Sequence, residues 1–278
     1  MWGLHTILAA MPTNRPHPVI TLTTDFGLTD HYVGTMKGVI LSRCPHAHVV
    51  DISHGIEAFS LYSGAYTIDQ AAPFYPPGTV HVVVIDPGVG TARKPLLSEA
   101  LGQYFVAPDN GVLSMILARD ANACIREITN RALWLNTTSS TFHGRDVFAP
   151  VAAALTAGAA QPSDVGPVIE NVERLPGLEA KQIQPGTWQG KVLSIDRFGN
   201  VITNFRVAQF RSIASEPFTL LLGNGEVTQW RATFGQALRE ECFAYFGSSG
   251  YVEAGMNQTS AAIRLNISPG DSIIVELQ

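Results

Sequence analysis

The chain has 278 residues, 46% of them hydrophobic and 15% charged, with a formal net charge of −5 and a pI of about 5.9. That is enough for one large domain or two smaller ones, and an acidic balance with no basic run argues against nucleic acid and anionic membrane as partners. The three cysteines (Cys44, Cys124, Cys242) lack CxxC or other metal spacing and read as reduced thiols of a cytoplasmic protein; no apolar stretch reaches the roughly 18 residues of a membrane helix.

Residues 1–18 begin apolar, carry no basic start or clear cleavage site, and read as a loose extension. Val19 to Thr23 is a strand that runs out at Asp25. A helical pattern follows, with Tyr32, Val33, Met36, Val39 and Ile40 on one side, Asp30 as its cap and Pro45 as its stop. Val49 to Ile52 is a second strand and Leu61 to Ala72 a second helix. The run His81 to Asp86 is apolar and β-branched, as in a strand covered on both faces. This βαβαβ order predicts a parallel sheet with right-handed crossovers. Gln103 to Ala107 and Ile125 to Ile128 add strands, Val112 to Leu117 and the alanine-rich Val147 to Ala157 add helices. A Pro/Gly-rich stretch, Ala160 to Gly186, marks a boundary near residue 175.

The expected architecture is therefore an α/β domain over 19–175, with a parallel sheet and the candidate catalytic residues, then a small antiparallel β domain over 176–278. In the second, short strands at Gly190–Ile195, Val201–Phe205, Phe218–Leu222, Val227–Ala232, Cys242–Phe246, Tyr251–Ala254 and Ser272–Leu277 alternate with glycine-rich turns. Either a barrel or a sandwich fits this pattern, with one helical turn at Thr259–Leu265.

Polar residues concentrate in five loops: Asp25-Phe26-Gly27 with Asp30; Asp86 with Arg93; Pro108-Asp109-Asn110-Gly111; His143-Gly144-Arg145-Asp146; and Asp196 to Asn200 with Ser248, Ser249 and Asn257. Loops that follow parallel strands share one edge, where open α/β sheets bind ligands. Asp25 suits a vicinal diol, because its two oxygens can accept from both hydroxyls, or else a helix cap. Asp86, Arg93 and His143 are the candidate reaction centre: a carboxylate beside a guanidinium stays ionised, and an imidazole can move a proton near neutral pH. The same residues also admit bland readings, Asp86 capping a turn and His143 as a satisfied structural histidine. Arg145 and Asp146 read as a structural pair at a helix start. No GxGxxG or GxxxxGK[ST] is present, so a dinucleotide or triphosphate is not expected; a nucleoside without a phosphate chain fits better. GxSxG and HExxH are also missing, so neither covalent catalysis nor a metal site is expected, and no cofactor is called for.

Thr23-Thr24-Asp25-Phe26-Gly27, the run Gly78 to Thr91, Pro108 to Gly111, Ser140 to Asp146 and Phe198-Gly199-Asn200 occur in an order that resembles the S-adenosylmethionine hydroxide adenosyltransferase family, related to the S-adenosylmethionine-dependent fluorinase and chlorinase. The resemblance covers about residues 19–278. It implies an amino-terminal α/β domain, a carboxy-terminal β-barrel closing the nucleoside and methionine site, a homotrimer with sites between subunits, and cleavage of S-adenosylmethionine by water to adenosine and methionine. It further implies that Asp86, Arg93 and His143 activate water and that Asp25 holds the ribose hydroxyls. Phe59 falls at an aromatic wall near the ribose; Asp30, Asp196 and Ser248 fall near the methionine amino and carboxylate groups. Phe198, Asn200, Asn257 and Gln258 fall beside the adenine. Two positions depart from the pattern: Ser249 stands where the fluorinase has an arginine, and Asn257-Gln258-Thr259-Ser260-Ala261 replaces a more glycine-containing run. Halide users resemble this chain but carry tyrosine in place of Asp86 and an altered TFHG run. A halide needs no proton removed and water does, so Asp86 with His143 argues for water. Which of the two takes the proton stays open in the sequence.

Overall fold

The computed structural model describes residues 18–277, so nearly all of the expected amino-terminal extension lies outside the described residues. The chain divides into two compact units. One runs through Phe59 and from Thr67 to Glu173; the other takes Ser60–Tyr66 and everything from Arg174 onward.

The first unit contains β1 (Val19–Thr24), helix α1 (Tyr32–Arg43), β2 (His48–Ser53), the part of helix α2 (Leu61–Ala71) from Thr67 onward, β3 (Val80–Val84), β4 (Pro95–Ala100), β5 (Gln103–Pro108), helix α3 (Ser114–Arg119), β6 (Cys124–Glu127) and helix α4 (Ala149–Thr156). Six strands make one sheet in the order β2-β1-β3-β5-β4-β6. The first four are parallel, as the βαβαβ pattern predicts. β4 lies antiparallel to β5 and β6, so beyond the four parallel strands the sheet is mixed. β4 and β5 are joined by the two-residue turn Leu101-Gly102, which is too short for a parallel crossover and dictates a hairpin. The core gathers Ile20, Leu22, Val82, Val84 and Val106 from the strands with Met36, Ile40, Phe148, Val151 and Leu155 from α1 and the α4 region. Helix α1 begins after His31, which makes no side-chain cap, and Asp30 is exposed, so the expected Asp30 cap does not form.

The second unit holds β7 (Lys181–Gln184), β8 (Thr187–Ile195), β9 (Val201–Arg206), β10 (Phe218–Leu222), β11 (Gly225–Val227), β12 (Cys242–Phe246), β13 (Tyr251–Met256), helix α5 (Ala261–Leu265) and β14 (Ser272–Leu277). The strands run β11-β10-β14-β8-β9-β13-β12, all antiparallel, with β7 added to β8. The strand expected at Val227–Ala232 ends at Val227. The chain beyond it instead bonds to Ala244 of β12, with Ala244 N–H to the Gln229 carbonyl at 2.8 Å and Arg231 N–H to the Ala244 carbonyl at 3.0 Å. Those bonds draw the ends of the path together, so of the two expected forms the nearly closed barrel is the one adopted. Phe205, Phe210, Leu220, Leu222, Val252 and Val275 fill it.

Candidate active site

Because β2, β1, β3 and β5 are parallel, their carboxyl ends share one edge. His54 leaves β2 there, Asp25 leaves β1, Asp86 follows β3 and Asp109-Asn110 follow β5. β3 is buried along its whole length, and so is Ile85 beyond it. The Asp86 carboxylate is thus delivered at the rim of an apolar strand, with only 4% of its side chain exposed. The chain then turns tightly: Val89 N–H donates to the Asp86 carbonyl at 3.2 Å, and the Thr91 hydroxyl donates to the Gly88 carbonyl at 2.7 Å while accepting Arg93 N–H at 3.3 Å. This turn carries the guanidinium back onto the carboxylate. Arg93 Nε donates to Asp86 Oδ1 at 2.9 Å and Nη2 donates to Oδ2, a bidentate pair with the Arg93 side chain 8% exposed.

Arg93 Nη2 also donates to His143 Nδ1 at 2.9 Å, so the three candidate residues, 50 or more positions apart at the extremes, form one cluster. Gly90 makes room for this. Its φ is +77°, and a Cβ there would lie 2.3 Å from the Ser140 carbonyl oxygen, on the loop that leads to His143. Arg145 pairs with Asp146 at 2.6 and 3.0 Å, and the buried Asp146 also accepts Ser139 N–H at 2.7 Å. The two therefore shape the His143 turn, as their adjacency suggested.

Burial, and after it the Arg93 charge, hold the His143 imidazole below its ordinary pKa, with Asp86 and Asp146 opposing in part. An arginine only donates, so Nδ1 accepts and the neutral ring carries its proton on Nε2. Arg93 Nη1 is buried and has no hydrogen-bond partner among the described residues. A neutral imidazole, a pinned carboxylate and a spare guanidinium N–H in one cluster can hold a small protic molecule and take its proton.

Asp25 accepts the Phe59 N–H at 2.8 Å. Burial raises its carboxyl pKa against that N–H, and the Asp86 charge raises it further, so the two carboxylates are within electrostatic reach. Phe59 is exposed and sits at φ +70°, a left-handed conformation unusual for an aromatic residue. The Pro108–Gly111 loop braces the centre from behind. Asn110 Nδ2 donates to the Ile85 carbonyl at 2.8 Å, one residue before Asp86, and Asp109 N–H donates to the Lys94 carbonyl at 2.8 Å, one residue after Arg93. Arg93, Lys94, Asp109, Asn110 and Glu173 line a polar cleft of about 550 Å³.

In the second unit Asp196 organises a turn. Its Oδ1 accepts N–H groups of Phe198 and Asn200 at 2.9 and 2.8 Å, and its Oδ2 accepts Asn200 Nδ2 at 2.7 Å. Gly199 has φ +84°, and a Cβ there would sit 2.0 Å from Ser260 Oγ. The turn thereby lies against the start of α5, and Phe198 projects 79% exposed. Phe198, Asn200 and Gln258 line an apolar groove of about 520 Å³ together with Thr259 and Ser260 of the same run, and with Phe234 and Met256, which the sequence reading did not single out. Asn257 Nδ2 is occupied by the Ala237 carbonyl at 2.8 Å, and Ser248 is exposed on the β12–β13 turn. Among the described residues, no group of three or more His, Cys, Asp or Glu is disposed to hold a metal ion, and no helix is long and apolar enough to cross a membrane.

Comparison with known proteins follows the same division. Residues 20–166 match the model of the SAM hydroxide adenosyltransferase N-terminal domain and residues 190–274 that of its C-terminal domain. Proteins named (R)-S-adenosyl-L-methionine hydrolase are similar throughout: that of Salinispora tropica is 38% identical, with 94% of this chain and 98% of the relative covered, and that of Thermus thermophilus is 36% identical, covering 91% and 97%. A protein named fluorinase, from an Actinoplanes species, is 27% identical over 95% and 99%. A crystal structure of a conserved protein from Thermotoga maritima superposes with a TM-score of 0.82 at 36% identity, covering 92% of this chain and 99% of that one.

Proposed function

The chain belongs to the SAM hydroxide adenosyltransferase family, and we propose from that membership and the geometry above that it hydrolyses S-adenosyl-L-methionine to adenosine and L-methionine. The observation that carries the reading is the Asp86–Arg93–His143 cluster, its carboxylate and guanidinium buried and its imidazole half-buried, with the Arg93 Nη1 amino group left over. Water has to lose a proton to attack well, whereas a halide does not. This chain keeps both a carboxylate and an imidazole at that point.

In the proposed step the water oxygen attacks C5′ of the ribose in line with the sulfonium. The O–C5′ bond forms as the C5′–S bond breaks, and its electron pair leaves with sulfur to give the neutral thioether of methionine. The sulfonium is already an activated leaving group, so the step is proposed to need no metal and no cofactor. Arg93 Nη1 holds the water, and holding it in line supplies an orientation term of order several kcal/mol. The proton goes to Asp86: Arg93 occupies only two of its lone-pair sites, whereas the one lone pair of His143 Nδ1 already faces Arg93. His143 holds the guanidinium in place and offers Nε2–H to the water. Asp25 takes the ribose hydroxyls with Phe59 beside it, and the aromatic groove around Phe198, Asn200, Asn257 and Gln258 takes the adenine. Asp30, Asp196 and Ser248 are the proposed methionine contacts. For Asp196 the role includes building its own turn.

We further propose that the protein acts in the cytoplasm as a homotrimer with its sites at subunit interfaces. The exposure of Phe59 and Phe198, both assigned to ligand, supports a site that another copy helps to cover. Light scattering on the purified protein tests the trimer. Turnover in isotopically labelled water tests the reaction: the label belongs in the 5′-hydroxyl of adenosine. Label elsewhere, a 5′-halo nucleoside formed with chloride, or adenosine binding without turnover would each overturn it.

A further inference from the structure

His54 takes no part in the chemistry above, yet it is buried at the same edge of the sheet, 5% exposed. It leaves β2 beside the end of β1, where the pairing shifts register between Leu22 and Thr23 so that Thr23 faces Ser53. That shift sets Thr24 against His54: Thr24 Oγ1 is 2.8 Å from His54 Nδ1. On the far side of the ring, Nε2 stands 3.0 Å from Asp51 Oδ1, a polar contact without hydrogen-bond alignment, and Lys37 Nζ donates to Asp51 Oδ2 at 2.6 Å. A ring nitrogen facing a carboxylate carries the proton, so Nε2 is the N–H and Nδ1 the acceptor. Thr24 then donates to the ring, which leaves its oxygen lone pairs for the Phe26 N–H, 3.3 Å away. The backbone of His54 completes the grip: its carbonyl accepts Gly27 N–H at 2.8 Å.

Residue 24 is therefore tied to the His54 side chain, residue 26 to Thr24, and residue 27 to the His54 main chain. Asp25 lies in the middle, its own carboxylate engaged by the main-chain N–H groups of Phe59 and of Asp25 itself. We propose that His54, backed by Asp51 and Lys37, is a positioning residue that aims the Asp25 carboxylate at the ribose diol. This rests on reading Asp25 as the diol ligand. A hydrogen-bonded diol is recognised by direction as much as by charge, so loosening the Asp25 loop should weaken the distinction between a ribose and a deoxyribose more than it weakens binding in general.

The experiment is calorimetric binding of adenosine and of 2′-deoxyadenosine to the full-length protein and to variants. The wild-type chain should prefer adenosine by about tenfold or more, as expected for one lost charge-assisted hydrogen bond. His54→Ala should reduce that ratio at least threefold. His54→Asn and His54→Gln divide the two sides of the ring. The Asn amide overlays Nδ1 and can still accept from Thr24, while the Gln amide overlays Nε2 and meets only Asp51. The ratio should be kept better by Asn than by Gln, and Thr24→Ser should keep it where Thr24→Val does not. A preserved ratio in folded His54→Ala, or Gln retaining it better than Asn, overturns the proposal alone. Equal binding of the two nucleosides by the wild-type chain overturns the Asp25 reading and this proposal with it. The Asn and Gln pair decides the matter even if the alanine variant does not fold.

Discussion

The edge of the first sheet and the groove of the barrel hold their side chains in opposite ways. At the edge, Asp86 and Arg93 are almost fully withdrawn from water, and nearly every polar atom has a named partner. In the groove, Phe198 stands in solvent and the lining is mostly ring and methyl surface. Removing one member of a buried charged cluster leaves the others unpaired in a low dielectric, so small changes there have large consequences. An apolar groove loses affinity in proportion to the surface removed and does nothing to a proton. Variants in the Asp86–Arg93–His143 cluster should therefore be read in turnover and variants in the groove in binding.

Asp86→Asn is the strongest test of that split. The amide keeps the size and part of the hydrogen bonding to Arg93 but cannot take the proton. Turnover should fall by about 10²- to 10⁴-fold, the range for losing a general base, while calorimetric affinity for adenosine stays within about threefold. A matching loss of both would put Asp86 among the ligand contacts and erase the contrast.

The two units also differ in how they meet acid. The second unit contains no histidine among the described residues. His81 in β3 is fully buried, stacked on Phe105 and 2.7 Å from Thr21 Oγ1, and burial pushes its pKa down to about 4, with Gln103 opposing. Its folded pKa is depressed, so the unfolded chain takes the proton first. The stabilisation is whole above about pH 6.5 and is lost as pH falls towards 4, roughly 3 kcal/mol in all. In the second unit Glu253 runs the other way. Burial raises its carboxyl pKa, while Tyr245 and Ser249 hydrogen bonds oppose and the Asp196 charge adds to the rise. Its contribution is present below the ordinary glutamate range and is lost as pH rises. Denaturant titrations across pH should therefore show His81→Gln removing one proton from the slope between pH 6.5 and 4, and Glu253→Gln stabilising the protein at neutral pH but not in acid.

The groove itself is tested by Phe198→Ala. Stacking of a base on an aromatic ring is worth about 1–3 kcal/mol, so adenosine affinity should fall roughly 5- to 150-fold, with turnover at saturating substrate unchanged. Phe198→Tyr should restore it. A fall in saturated turnover would mean that the ring also helps set the in-line geometry.

Legibility in the sequence follows the same contrast. Asp86, Arg93 and His143 stood out because charge interrupts apolar runs where strands end, and a parallel sheet brings such ends together. The mixed character of the sheet did not stand out. In β4, Pro95 at the start and Glu99 near the end hide a strand whose Leu96, Leu97 and Ser98 are buried. Phe234 and Met256 gave no signal either. The first is an aromatic that opens a short 3-10 turn, and the second ends a strand buried at every position. An apolar groove is made by what loops leave uncovered, and no period in the sequence encodes that. Asp30 misled for a related reason: a carboxylate before a helical pattern resembles a cap, but the chain bends once more before α1 begins.

Phe59 joins the two halves of the contrast, an exposed ring like Phe198 on a backbone tied to Asp25 like the edge. Its left-handed φ of +70° costs a non-glycine residue of order 1 kcal/mol or more, and at 69% exposure the side chain recovers little of that by burial. Strain retained without packing to support it is expected where a side chain serves a ligand. Phe59→Gly relieves the strain and keeps the N–H that Asp25 accepts, but lengthens the list of unfolded conformers, so the net gain in stability should be small, up to about 1 kcal/mol. Adenosine affinity should move the other way and fall several-fold. A rise in the thermal midpoint with weaker binding fits a ring held for the ribose. A fall in the midpoint with binding unchanged would instead make Phe59 a structural residue and return the diol to Asp25 alone.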